Sequence, residues 1–387
     1  MNNLFDKAIL DCNRREFFRL SVGAAAALTL AALPIDVSAQ VPEIKAVKRS
    51  LDDCLAMEPV KMAAQSAVII SAWDFILKTV NQIQDITLRH AVVELLQNPA
   101  PRLMELYLSD AKKETVKQRL VAAGYIKATS GYEEFLPPCT NYTRSSVPFW
   151  AAPGSGYGSH HAYPGGLPIH VAVNLKASLG FFGAYKDIYG FPMNRDIVIA
   201  AQALHDIHKP WVFQWQDNGV ARTEYSIAGT GSHHILSLAE LIHRKMPAEL
   251  IVATACAHNH PGSSDDERDV VNWLRAAAIL AQEDVVSLGL LADSGKTLPL
   301  PRNPEGFITH LGDHDWVFAA PCTKWMIANL EKIAQREYGI SDTELQTKKF
   351  YAFRNYVFSQ ATLEQLYFIL AKRGETSLVE TVKSIVA

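Results

Sequence analysis

After residue 41, apolar side chains recur at three- and four-residue intervals along nearly the whole chain, and this period constrains the fold more than any other feature. The runs VKMAAQSAVIISAWDFILKTVNQI and TLRHAVVELLQNP each present one apolar stripe, and Pro99 and Pro101 close the second. Such spacing fits a helix of about 3.6 residues per turn and does not fit the two-residue alternation of a half-buried strand. Residues 167–182, 195–207, 232–245, 247–257 and 267–290 read as helices, as do 324–338 and 342–373. Pro247 suits a first helical turn, and SDDE (264–267) and SDTE (341–344) have the form of capping boxes. No strand series and no internal repeat emerges. The expected class is all-α, a helical bundle with additional N- and C-terminal helices.

Two kinds of segment interrupt this pattern. Residues 1–39 contain the pair Arg14–Arg15, then Phe17, Phe18 and Arg19, a short Ala-rich apolar run, and small residues ending at Ala39. That is the layout of a twin-arginine export signal, too short in its apolar part to span a bilayer. It predicts a periplasmic or exported protein whose partner is the twin-arginine export machinery. Residues 127–168 are dense in Gly, Pro, Ser and aromatics, and a loop of that length in a compact protein is usually functional or disordered. Phe149, Trp150, Tyr157 and Tyr163 favour an ordered lining. The expected organisation is a signal over 1–39, a helical region over 40–126, the Gly/Pro/aromatic loop over 127–168, a central helical domain over 160–290, and a C-terminal loop and helices over 291–387.

A net charge of −3 gives no basic excess for wrapping nucleic acid, and no later apolar run is long enough for a membrane helix. Cys54, Cys139, Cys256 and Cys322 follow the signal with no metal-binding CxxC spacing, and their order specifies no pairing.

The segment AAQALHDIHKPW (200–211) sets His205, Asp206 and Lys209 at the end of an apolar run. A buried carboxylate without a partner is costly, so Asp206 requires a cation, either Lys209 or a metal. Further His and Asp residues fall on successive helices: His170, the doublet His233–His234, His258 and Asp284. The spacing from Asp206 to His234, His258 and Asp284 is one helix and turn each time, so neighbouring helices can direct these side chains to one point.

In this order the motifs HHAYPGGLPIH (160–170), ALHDIHKP (203–210), GTGSHHI (229–235), AHNHPG (257–262) and AAAILAQEDVV (276–286) resemble those of the HD superfamily of metal-dependent phosphohydrolases. The resemblance covers roughly residues 160–290 and implies an HD-domain helical bundle. It also implies two divalent transition metal ions (Mn, Fe, Ni, Co or Zn) and hydrolysis of a small phosphoester or nucleotide. Carried over by position, His170, His205, Asp206 and Asp284 hold one ion, and Asp206 bridges to a second held by His234 and His258. His234 is preferred over His233 because it directly precedes Ile235, and His258 is preferred over His260. His208 stands where the family often has Gly, offering a further ligand or facing solvent, and Glu283 stands where an Ala is usual. His205 and Asp206 would be catalytic together with Lys209, which lies three residues beyond Asp206 and could hold a phosphate oxygen.

Some HD-type proteins use the same ligands for two irons and oxygen activation, which is the alternative reading. A metal-filled bundle without catalysis is a third. His160 and His161 could add a ligand or a substrate hydrogen bond. His310, Asp313, His314 and Asp315 form a second small cluster, read as loop residues. Trp211 belongs to the core. Lys176, Arg222, Arg244 and Arg275 are candidates for binding phosphate.

Overall fold

The computed structural model describes residues 43–302 and 304–387. The expected export signal over 1–39 lies outside the described residues. The chain is predominantly α-helical. The helices are α1 (Leu51–Ala56), α2 (Pro59–Ala64), α3 (Ala67–Val80), α4 (Ile86–Gln97), α5 (Asp110–Ala122), α6 (Tyr132–Phe135), α7 (Gly166–Tyr189) and α8 (Arg195–Leu204). They continue with α9 (Lys209–Val212), α10 (Ser232–His243), α11 (Ala248–Ala255), α12 (Ser264–Ala281), α13 (Glu305–Gly312), α14 (Trp316–Tyr338), α15 (Lys348–Ala361) and α16 (Leu363–Ile385). A two-residue hairpin, β1 (Ser226–Ile227) and β2 (Thr230–Gly231), leads into α10. No described helix is long and apolar enough to cross a membrane.

Local sequence sets the helix starts. Side chains of Ser66, Asp85, Ser109 and Asn194 accept hydrogen bonds from the first backbone amides of α3, α4, α5 and α8, satisfying donors that have no partner within the helix. Ser341 and Glu344 form the predicted capping box, which opens a 3-10 turn over 342–346 ahead of α15. The box at α12 is formed by Ser263 and Asp266, one residue earlier than SDDE suggests.

Helix α7 is the central strut and packs against α3, α8 and α13, while α10 packs along α12. One apolar cluster joins α3, α7, α8, α10 and α12, and a second gathers α1 and α14–α16 around Tyr163, Phe350, Phe353 and Phe358. The ends of the described chain meet: Arg49 N donates to Ile385 O, and Ala387 N donates to Arg49 O. All four described cysteines are free.

Three features position the functional site. The 127–168 segment packs into the body of the fold, burying Phe149, Ala151, Ala152, Tyr163 and His161. Here the chain has no room for a side chain at Gly166, where a Cβ would lie 1.9 Å from the His161 carbonyl oxygen. Where α13 crosses α7, a Cβ on Gly312 would lie 1.9 Å from Ser178 Oγ. Glycine therefore permits the approach that sets Asp313, the next residue, over His170. Finally, α12 ends at Ala281, not near residue 290, because Gln282 turns left-handed at φ 57° and ψ 36°.

Candidate metal centre

Five helices or helix ends supply one cluster. His170 lies in the second turn of α7, His205 caps the C-terminus of α8, and Asp206 follows it. His233 lies in the first turn of α10, His258 follows α11, and Asp313 caps α13. His170 Nε2 lies 3.3 Å from Asp206 Oδ2 and 3.1 Å from Asp313 Oδ1. His205 Nε2 is 3.2 Å from each of the same two oxygens. Across the site, His233 Nε2 lies 3.2 Å from Asp206 Oδ1, and His258 Nε2 lies 3.7 Å from Asp313 Oδ2. Ligand atoms of His170, His205 and Asp313 all lie within 4.8 Å of one another, and so do those of Asp206, His233 and His258.

The side chains are oriented from behind. His205 Nδ1 bonds the Gln202 carbonyl at 2.8 Å, which directs Nε2 into the cluster. His233 Nδ1 bonds Glu224 Oε1 at 2.6 Å, and His258 Nδ1 meets Thr230 Oγ1 at 3.1 Å. The hairpin thus braces the second group. Asn174 Nδ2 donates to Asp313 Oδ1 at 2.9 Å. Backing interactions of this kind fix ring orientation and tautomer at metal sites.

Charge is heavily concentrated. Burial favours the neutral acid at Asp206, but His205 and Lys209 outweigh it and hold the carboxyl well below the usual range. The Lys209 ammonium, itself buried, lies 2.6 Å from Asp206 Oδ2. Asp313 is also held well below the usual range, because His205 and His170 overcome the effect of burial. In return the carboxylates raise His170 to about 10 and His205 to about 9, against burial, which acts in the opposite direction. His258, by contrast, is pushed down to about 4 by burial.

These residues fit a pair of cations. His205 Nε2, His233 Nε2 and Asp206 Oδ1 are buried, and although they lie 3.2 Å from oppositely charged neighbours, none of the three makes an aligned hydrogen bond. Buried polar atoms are paired almost without exception, so such orphans converging on one point require something to bind. Imidazole and carboxylate donors together suit Mn, Fe, Co, Ni or Zn, whereas Mg prefers an all-oxygen shell.

One consequence is measurable. At neutral pH the bare protein holds protons on His170 and His205 that a cation must displace, so binding releases about two protons and tightens as pH rises towards 9–10. The bare protein also gains stability from these raised values. That contribution is complete below the unfolded imidazole value of about 6.5 and is lost as pH rises through about 9 to 10. Calorimetry of metal binding in buffers of different ionisation enthalpy reads the protons directly. Binding without proton release between pH 6 and 8 would contradict this account.

Two sequence expectations are corrected. Asp284 does not reach the cluster: the left-handed Gln282 turns the chain away, and the Asp284 carboxylate accepts instead from Ser287 N at 2.7 Å. Asp313 stands where Asp284 was expected. His234 is likewise replaced by His233, since adjacent helical residues point about 100° apart. His234 Nε2 meets the Ala255 carbonyl at 3.2 Å, and its ring stacks on His258 at 4.2 Å and abuts Trp273 at 5.0 Å.

Other positions are also placed. His208 neither binds the cluster nor faces solvent; it is buried 3.4 Å from Glu240 Oε2. His260 stacks on Phe307. Trp211 is buried and donates to the Pro137 carbonyl. His161 binds Asp315 Oδ2 at 2.6 Å, while His160 lines the pocket beside His170.

A cavity of about 320 Å³ opens over the cluster, with Lys209, His160 and Glu224 in its walls and His310, His314 and Trp316 further along. None of the four further candidates for binding phosphate lines it. Lys176 lies over the Phe75 ring, Arg222 donates to the Glu133 carbonyl, Arg244 pairs with Glu240, and Arg275 donates to the Gly295 carbonyl. Of the cations singled out in the sequence, Lys209 is the one in this pocket.

No family model matches the chain, and no solved structure matches it. Among curated proteins it is similar to the dihydroneopterin 2',3'-cyclic phosphate phosphodiesterase of Methanocaldococcus jannaschii, with 28% identity over 183 residues. The match takes in 47% of this chain, which spans 58% of the length of that relative.

Proposed function

We propose that the chain is a metal-dependent phosphohydrolase of small phosphodiesters, cyclic ones included. The carrying observation is the convergence of buried imidazole and carboxylate atoms beneath an open pocket lined by His170, His233, His258 and Asp313. The similarity to a phosphodiesterase supports the same reading.

In this proposal His170, His205, Asp206 and Asp313 hold one ion, and Asp206, His233 and His258 hold the other. Two bound cations would neutralise charge on the phosphoryl oxygens and make a bound water more acidic. The chain's own groups do the rest. Asp206 spans both positions, with one oxygen towards His170 and His205 and the other towards His233. Gln202, Glu224 and Thr230 keep the three imidazoles turned inward. Lys209, on the pocket wall, both neutralises Asp206 and presents a positive charge to a phosphate oxygen. His160 is kept neutral by burial and borders the same space, where it can hydrogen-bond the ester.

The test is loading and stripping. Purified protein loaded with Mn, Fe, Co, Ni or Zn is expected to hydrolyse members of a panel of linear and cyclic phosphodiesters. Chelation should abolish turnover, readdition should restore it, and an oxygen electrode should register no uptake. Protein carrying two ions per chain that hydrolyses nothing in the panel, or that consumes oxygen, overturns the proposal.

A further inference from the structure

One wall of the pocket is built from rings. Trp316, the first residue of α14, lines it and is 46% exposed as a residue. The His314 ring lies 6.2 Å from that indole at an interplanar angle of 32°, and His310 meets His314 edge-on at 4.5 Å. Val317 and Phe318 are exposed as well but do not line the pocket, so the indole's place there is particular to Trp316.

The ring wall is tied to the metal centre. Asp313 belongs to the cluster, Asp315 caps α14 and is held by His161 at 2.6 Å, and Trp316 follows. Only His314 and Asp315 therefore separate a proposed ion ligand from the indole, on a turn anchored at both ends. A volume of about 320 Å³ lies at the small end of small-molecule sites. It has room for a phosphoester carrying one compact group. A solvated indole face beside such a site gains most by stacking a flat ring.

We propose that the phosphoester carries a planar nitrogen heterocycle, of the size of a nucleobase, and that Trp316 stacks on it and sets this specificity. The inference rests on the phosphohydrolase reading for its substrate and on the ring wall for its recognition.

The test separates the two. Wild type, Trp316→Ala and Trp316→Phe are compared on adenosine 2',3'-cyclic phosphate and on glycerol 1,2-cyclic phosphate, which has no ring. Tyr189→Ala, an exposed aromatic at the far end of α7, serves as the control. Base–aromatic stacking scales predict that Trp316→Ala raises KM for the adenosine ester by about five- to a hundredfold, with kcat changed far less. The loss should be at least about tenfold larger than for the glycerol ester, and Trp316→Phe should recover most of it. Binding of adenosine 2'-monophosphate, read by calorimetry on the metal-loaded protein, should weaken by the same factor.

If wild type hydrolyses neither ester but Trp316→Ala weakens nucleotide binding, the hydrolase reading fails and the ring site stands. If both esters suffer equally, or if nucleotide binding is absent or indifferent to Trp316, the ring site is refuted.

Discussion

Asp313→Ala is expected to empty the cation position shared with His170 and His205 and to lower kcat/KM by about a thousandfold. A lost metal ion removes several kcal/mol of transition-state stabilisation, and about 4 kcal/mol corresponds to that factor. Asp284→Ala should leave both ions and turnover in place, because that carboxylate only caps Ser287. The doublet offers the same contrast one helix away. His233→Ala should lose the second ion, since its Nε2 faces Asp206. His234→Ala removes a buried ring packed on Trp273 and should lower stability by about 2–4 kcal/mol while retaining two ions per folded chain. Elemental analysis of the four variants, with thermal melts to separate unfolding from ion loss, decides the matter. Retention of both ions in Asp313→Ala, or their loss in Asp284→Ala, would reverse the assignment.

Asp206→Asn should be the most damaging single change. It keeps the shape but removes the negative charge that faces the Lys209 ammonium and three imidazoles. Breaking a buried ion pair by neutralising one partner costs about 3–5 kcal/mol, because the remaining charges stay desolvated. The bare variant should therefore melt well below wild type. Both ions should be lost together, since this residue reaches both groups, and activity should fall by at least about a thousandfold. A double variant, Asp206→Asn with Lys209→Met, should regain part of the melting temperature without regaining ions or turnover. Recovery of activity in the double variant would show that Asp206 serves only to neutralise the lysine.

Much of the fold and part of the site was legible in the sequence. Helical periodicity is a local property, repeated every turn, so the α-helical class and most helix positions follow from composition and spacing. His170, His205, Asp206 and His258 stood out because His and Asp at the ends of apolar runs are costly unless they meet one another, and in the structure they do. Lys209 was legible for the same reason, three residues beyond Asp206 on a turn.

The tertiary structure decided the rest. The choice of His233 over His234 is a matter of about 100° of helix rotation, which depends on how α10 docks against α12 and not on either residue. Asp284 looked equivalent to a ligand while α12 was read as continuing, and the left-handed Gln282, which ends the helix, is not a residue type that announces such a turn. Asp313 lay in plain view between His310 and His314, yet the Pro-rich approach to it read as a loop. Helix α13 gains its place from packing on α7, through a contact that Gly312 alone leaves room for. The sequence by itself determined which chemistry the chain could hold, because residue types and their local period are written there. Which particular imidazole and carboxylate close the site was decided by helix rotation and helix–helix approach, because those distances are set between residues on different helices, tens of positions apart for His233 and more than a hundred for Asp313 with His170 and His205.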